Sequence, residues 1–320
     1  MKKIVITGVS GFVARHFIDY IYLNDVECQI LGLDHSSPNI DLTTYSNKLK
    51  ISFSIVDLMD KSLLKNIIKN FMPDYVLHLA ACSSVAYSWK YPSVSFMNNS
   101  NIFLNLIDTI REFVPSCRVL SVGSSEVYGN VVFSDLPLKE THSINPLSPY
   151  AVSRVSQELM SKVYAKAYGM NLVMTRSFNH IGPGQDERFV IPSFIKRIIA
   201  IKNKGMTEGE IETGDTSIIR DFVDVRDVVR AYYLLLTAGT PGEIYNICSG
   251  NAYRLSDIID FIAKDVGVKI ITKVNPEYVR PDDNREIVGS FAKIKSELNW
   301  MPIIEFRDTI KDMIKERMSL

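Results

Sequence analysis

Six short apolar runs, at 2–7, 29–34, 51–56, 75–79, 117–123 and 171–177, alternate through the first half of the chain with longer stretches of helical period at 12–23, 61–70, 94–112 and 150–168. Such alternation implies strands joined by crossover helices, and hence a parallel sheet. The runs lack the in-out alternation of a half-exposed strand, which fits strands covered by helices on both faces. A Rossmann-type, doubly wound α/β fold is therefore expected. From Gly182 onward the pattern loosens: Gly182-Pro183-Gly184 precedes a polar stretch at 202–214 and helical periods at 226–238, 256–266 and 306–317. The expected organisation is a Rossmann domain over 1–181 and a smaller C-terminal substrate lobe over 182–320. Segments 222–225 and 244–248 are expected to return to the sheet.

With 320 residues, 46% of them hydrophobic, the chain can bury a large core. Its 36 basic and 36 acidic side chains cancel, so no global field invites nucleic acid or an anionic membrane, and any phosphate binding must be local. Cys28, Cys82, Cys117 and Cys248 show neither CxxC nor metal-ligand spacing, and each lies in or beside an apolar run. Buried thiols in a reducing compartment, with no metal, are expected. Met1-Lys2-Lys3-Ile4 meets a glycine turn too soon for a signal-peptide core, and no run of about 18 apolar residues occurs, so the expected location is cytoplasmic.

Gly8-x-x-Gly11-x-x-Ala14 closes the first strand and opens the first helix. Two glycines let the backbone turn tightly against a pyrophosphate held at the helix N-terminus, and Ala14 lets helix and strand pack closely. Asp34, at the end of the second strand, follows at roughly the 20-residue offset where an acid accepts hydrogen bonds from an adenosine ribose. Its charge would repel a 2′-phosphate, so the expected cofactor is NAD(H) rather than NADP(H). The candidate cofactor set is Gly8, Ser10, Gly11, Phe12, Val13 and Asp34, with Asp57 and Leu58 after the third strand, Leu79, Ala80 and Ala81 at the fourth, and Ser177 ending the sixth.

Two further stretches, Ser124-Ser125-Glu126-Val127-Tyr128-Gly129 and Tyr150-Ala151-Val152-Ser153-Arg154, supply a hydroxyl and a phenol. Hydride transfer at a carbinol carbon needs a base for the hydroxyl proton, and a phenol serves when a nearby cation stabilises its anion. Tyr150 is the candidate base, Arg154 one helical turn on is the cation, and Ser124 is the candidate for orienting the reacting oxygen. The plainer alternative makes Tyr150 a helix cap after Pro149 and the serine pair a turn.

At these residues the chain resembles the extended short-chain dehydrogenase/reductase family, the NAD-dependent epimerases and dehydratases, over almost its whole length. The resemblance implies the Rossmann fold and a homodimer built through the tyrosine helix and the one before it. One departure matters: the family has Tyr-x-x-x-Lys, and Arg154 stands at the lysine position. Arginine keeps the charge but is bulkier, planar and never deprotonated. Slower catalysis or an altered proton relay is the corresponding expectation.

Within that family the chain is similar to enzymes acting on GDP-sugars, above all the GDP-4-keto-6-deoxy-mannose reductases, in the GDP-mannose 4,6-dehydratase group. The residues carrying this are Arg176-Ser177-Phe178-Asn179-His180-Ile181-Gly182-Pro183-Gly184-Gln185, Phe189 to Phe194, Arg220-Asp221-Phe222-Val223-Asp224-Val225-Arg226-Asp227 and Tyr245 to Gly250. Arg220 and Arg280 are candidates for clamping a diphosphate, since a guanidinium fork matches phosphate oxygens. Asn179 can bridge sugar and phosphate, Phe189 and Val190 can face a purine, and Ser83 and Ser125 complete the candidate substrate set. Arg226 and Asp227 read as helix-capping residues, and His180 as structural or functional equally. Glu126 matches the glutamate that takes the C5 proton in related dehydratases. Three activities follow as expectations: redox at C4 of a GDP-manno-configured hexose or heptose, 4,6-dehydration with Glu126 as base, or a non-catalytic sugar-nucleotide-binding paralogue.

Overall fold

A computed structural model of the chain describes residues 1–38, 40–279 and 284–319. The first half runs β1 (Lys2–Thr7), α1 (Phe12–Leu23), β2 (Cys28–Asp34), β3 (Lys50–Ile55), α2 (Lys61–Phe71), β4 (Tyr75–His78), α3 (Val85–Lys90), α4 (Pro92–Phe113), β5 (Arg118–Ser124), α5 (Pro149–Tyr168), β6 (Leu172–Ser177) and β7 (Asn179–Ile181). The second half runs α6 (Val190–Asn203), β8 (Glu208–Thr213), β9 (Ile219–Arg220), β10 (Phe222–Asp224), α7 (Val225–Ala238), β11 (Ile244–Ile247), β12 (Tyr253–Arg254), α8 (Leu255–Val266), β13 (Lys269–Val274), β14 (Glu286–Ile287), α9 (Ala292–Leu298) and α10 (Phe306–Ser319).

Seven strands form one sheet in the order β11-β6-β5-β4-β1-β2-β3, every pair parallel. The order reverses between β1 and β4, so the crevice for a ligand opens beyond the C-terminal ends of those strands. Consecutive residues of β1 serve two cores. Ile4 and Ile6 pack with Phe17, Ile18 and Ile21 of α1 and with Val228, Tyr232 and Leu235 of α7. Val5 points the other way, among Leu64 and Ile68 of α2 and Phe103, Leu106 and Ile110 of α4. That two-sided burial is why most of the strands read as unbroken apolar runs; β3 departs from the expectation, because as the edge strand beside β2 its residues are half-buried or exposed. Removing one fully buried isoleucine side chain such as Ile6 costs about 2–5 kcal/mol. A third core, made of Ile191, Phe194 and Ile198 of α6, Ile258 and Ile262 of α8 and Ile310 and Met313 of α10, supports the C-terminal region.

The six early strands fall where expected, and 244–248 joins the sheet as β11. The segment 222–225 does not: β10 pairs in parallel with β7, Phe222 opposite Asn179, in a separate two-stranded sheet. The physical reason is occupancy. The place beside β6 is filled by β11, with Ile244 opposite Met174 and the Phe178 amide donating to Ile247 O at 2.9 Å. The short helix α3 was not foreseen; Ser84 caps it by accepting from the Tyr87 amide at 3.1 Å. The cysteines are unpaired, with Cys28, Cys117 and Cys248 buried and Cys82 half-buried, so the expectation of burial fails for Cys82.

Candidate active site

The glycine turn is held from both sides. The Gly8 amide donates to Leu33 O at 2.8 Å and the Gly11 amide to Gly8 O at 3.0 Å. Gly8 has φ +73°, and a Cβ there would lie 2.8 Å from Ala80 N, so β4's end presses directly on the turn. Gly11 is the N-cap of α1 and no side chain caps that helix. Its first-turn amides, Phe12 and Val13 included, therefore face the crevice as donors for an anion. Asp34, 8% exposed, accepts from the Ser10 amide at 2.9 Å and the His35 amide at 2.8 Å. Those bonds fix its carboxylate over the turn. Thr7 Oγ1 accepts from the amides of Leu79 and Ala80 at 3.2 and 3.3 Å, so its proton goes to His78 Nδ1 at 2.9 Å. Burial, assisted by the Arg154 charge, pushes His78 down to about 3 and keeps it neutral. These fixed donors, the open helix start and the small surface at Ala80 and Ala81 fit a dinucleotide. Asp57 is exposed and folds back on the Met59 amide. Leu58 is buried.

The catalytic candidates lie on two neighbouring elements at the same sheet edge. Ser124 ends β5, is 9% exposed, and its Oγ accepts from the Glu126 amide at 3.2 Å, leaving its own proton to donate. Ser125 to Tyr128 form one 3-10 turn in which Ser125 is buried and Glu126 half-buried. The capping alternative for Tyr150 fails, because Ser148 caps α5 by accepting from the Ala151 amide at 3.1 Å, with Pro149 in the first turn. Tyr150 is thereby free for another contact, and its phenol oxygen accepts from Arg154 Nε at 3.1 Å, both residues buried.

On the substrate side the arrangement is more mixed. Phe189 is half-buried and Val190 exposed at the start of α6, whereas Ile191 and Phe194 turn into the third core; the helical period divides the stripe. Asn179 Nδ2 donates to Asp221 O at 3.3 Å. Arg220 is buried, with Nη1 on Ile219 O and Asn284 O, each at 2.8 Å. Ser177 joins a buried network through Tyr232 Oη at 2.7 Å and Thr175 Oγ1 at 3.1 Å. Ser83 is exposed, just before α3. Arg280 lies outside the described residues. His180 is packed beside Phe12, its Nδ1 3.2 Å from Phe178 O. Asp224, rather than Arg226 or Asp227, caps α7 by accepting from the Arg226 amide at 2.7 Å. Asp227 instead holds the Ile303 and Ile304 amides, each at 2.9 Å.

A family model described as GDP-mannose 4,6 dehydratase matches residues 5–313. The chain belongs to this family. It is 29% identical over 315 residues to the GDP-6-deoxy-D-mannose reductase of Pseudomonas aeruginosa, covering 98% of this chain and 97% of that one. To the GDP-mannose 4,6-dehydratase of Vibrio cholerae it is 26% identical over 356 residues, covering 100% and 94%. The solved structure of RMD from Pseudomonas aeruginosa complexed with NADPH is similar at TM-score 0.85 and 28% identity, over 100% of both chains.

In this member of the GDP-mannose 4,6-dehydratase family, three residues given no role by the sequence make buried hydrogen-bond networks around the candidate residues. Asn99 of α4 accepts from the Cys82 amide at 2.8 Å and donates to Ser153 Oγ at 3.0 Å, tying the loop after β4 to α5. Gln157 backs Arg154 at 2.7 Å. Asp221 accepts from Ser249 N and Oγ, Gly250 N and Gly289 N between 2.7 and 3.1 Å, and burial pushes it up to about 6 despite those donors. Two had a sequence signal: Gln157 lies one turn beyond Arg154, and Asp221 falls within the Arg220 to Asp227 stretch.

Proposed function

We propose that this chain is an NAD(H)-dependent oxidoreductase working at C4 of a GDP-sugar of manno configuration, hexose or heptose, in making sugar nucleotides for surface polysaccharide. The observation that carries this is the buried contact between Arg154 Nε and the Tyr150 phenol oxygen, at the sheet edge that also bears Ser124 and Asp34. The first-turn amides of α1 would hold the pyrophosphate and Asp34 the ribose, its charge favouring NAD(H). When bound, the nicotinamide supplies hydride to a 4-keto carbon or accepts it from a C4 carbinol. In reduction Tyr150 gives its proton to the C4 oxygen as that oxygen gains an electron pair, and the phenolate remains beside a guanidinium that cannot lose its charge. In oxidation the phenolate takes the hydroxyl proton. Ser124 directs its free proton to the same oxygen and holds it in line. Asn179, Phe189, Val190 and Arg220 would receive the GDP portion from the 182–320 side. The intact phenol-guanidinium contact supports catalysis over a binding-only role.

A second reading, 4,6-dehydration, is supported by the placement of Glu126 beside Ser124, on a short turn packed against α5. Two copies are proposed to pair through exposed Val94 and Met97 of α4 and Val152, Leu159 and Val163 of α5. No described helix is long and apolar enough to cross a membrane, and a cytoplasmic site of action is proposed.

The test follows reduced-nicotinamide absorbance with GDP-mannose, its manno-heptose counterpart and the 4-keto-6-deoxy sugar in turn, with NAD or NADH supplied. A rise with a saturated sugar identifies a dehydrogenase, and a fall with the keto sugar a reductase. A 4-keto-6-deoxy product without net absorbance change identifies a dehydratase. No product from any of them would refute the proposal.

A further inference from the structure

Replacing an ammonium by a guanidinium beside a catalytic phenol creates a geometric requirement that lysine does not have. A lysine ammonium is a compact point charge on a flexible stem, whereas a guanidinium is a planar fork. In this chain the phenol is met by Nε, the atom nearest the aliphatic stem. The rest of the fork extends past Tyr150, and its plane must be fixed from the far side. Gln157, 2% exposed and on the same face of α5, does this: its Oε1 accepts from Arg154 Nη1 at 2.7 Å, with Val122 O a longer second acceptor at 3.4 Å. The Gln157 amide is itself locked. Its Nε2 donates to Ser121 Oγ at 2.9 Å and to Val122 O at 3.1 Å; Ser161 gives its one proton to the Gln157 backbone carbonyl at 2.8 Å, so the 3.1 Å contact between Ser121 Oγ and Ser161 Oγ uses the Ser121 proton. Turning the amide over would set its NH2 against the guanidinium, donor against donor, so one orientation alone satisfies the network.

Building on the C4 redox assignment, we infer that Gln157 is a positioning residue that makes arginine usable at the lysine position. It acts through Arg154, fixing the guanidinium plane so that Nε meets the phenol oxygen and the cation stays beside the developing phenolate. Gln157 is 2% exposed and reaches the phenol only through Arg154. The device belongs to this chain's departure from the tyrosine-lysine pattern, so its worth depends on which cation occupies 154.

That dependence defines the test: Gln157→Met in two backgrounds, the natural chain and Arg154→Lys, with kcat and KM measured for whichever GDP-sugar the chain turns over. In the natural background Gln157→Met is expected to lower kcat by about 10- to 100-fold, the size of effect that small misplacements of a catalytic group produce, while KM stays within about threefold. In the Arg154→Lys background the same substitution should cost less than about threefold, because no guanidinium remains to position. Equal penalties in both backgrounds would make Gln157 a structural residue and overturn the inference. A readout without substrate separates this from failure of the functional assignment: the Arg154 Nε–H resonance in [15N]arginine-labelled protein, assigned by its loss in Arg154→Lys. Slow exchange with solvent in the natural chain and fast exchange in Gln157→Met support the inference even if no GDP-sugar is turned over. Unchanged exchange in Gln157→Met overturns it, and normal thermal unfolding of that variant excludes gross misfolding as the cause of either result.

Discussion

Asp34→Ala should shift the cofactor preference toward NADPH rather than merely weaken binding. The carboxylate is nearly buried and pinned by the Ser10 and His35 amides, while the His35 side chain that reaches it at 2.7 Å is itself 84% exposed and free to yield to a ribose. Losing the hydrogen bonds that a charged acceptor makes to the ribose costs about 1–3 kcal/mol, so NADH should bind about 5- to 150-fold more weakly. NADPH should respond in the opposite direction. A unit charge about 4 Å from the carboxylate is repelled by about 1 kcal/mol in a water-like medium and about 4 kcal/mol near a protein surface, and alanine removes that repulsion. The two effects together shift the ratio of NADPH to NADH dissociation constants by at least about 2 kcal/mol, or about 30-fold. Titration of the reduced cofactors by their own fluorescence, at fixed ionic strength, measures the ratio directly. An unchanged ratio in Asp34→Ala would refute the placement of Asp34 at the ribose.

Gly8→Ala should destabilise the fold by about 2–4 kcal/mol, because the new Cβ combines a positive φ with a backbone contact at Ala80 that cannot shift cheaply, and it should abolish measurable NADH binding; urea unfolding and NADH titration test both. Glu158→Gln should cost about 3 kcal/mol, since Glu158 and Arg176, both almost fully buried, are joined by two bonds of 2.9 Å. Burial alone would raise the Glu158 carboxyl, but the Arg176 fork, with Lys162, holds it below its ordinary value of 4.5. Its stabilisation is therefore fully present above that ordinary value and fades as pH falls through the lower folded value. Urea midpoints taken between about pH 7 and pH 3 should fall less steeply in Glu158→Gln than in the natural chain; parallel slopes would contradict the assignment.

What could be read in advance was local. The glycine turn, Asp34 at a strand end and Arg154 one turn after Tyr150 are each defined by residues close together in the chain, and β1, β2, β4, β5 and β6 are marked by two-sided burial. The features that escaped are those whose partners are remote. Asn99 meets Ser153 across two helices. Asp221 gathers amides from Ser249, Gly250 and Gly289, and nothing around it in sequence announces that role. The place of β10 does not follow from its own composition, which suits either sheet; the decision belongs to β11, which occupies the position beside β6. The stripe at 189–194 could not be divided between surface and core without the start of α6, which turns Val190 outward and Ile191 inward.

The return of α7 and β11 to the first core limits how such a chain can diverge. α7 covers the sheet face presented by Ile4 and Ile6, and β11 closes the edge of β6, although both elements lie within the region expected to choose the substrate. Exchanging everything after residue 181 with a relative would import a foreign cover for the nucleotide fold together with the new pocket. New sugar specificity is thus more readily acquired by loop changes between these returning elements than by wholesale shuffling, because the inherited α7 and β11 must still fit the sheet they close.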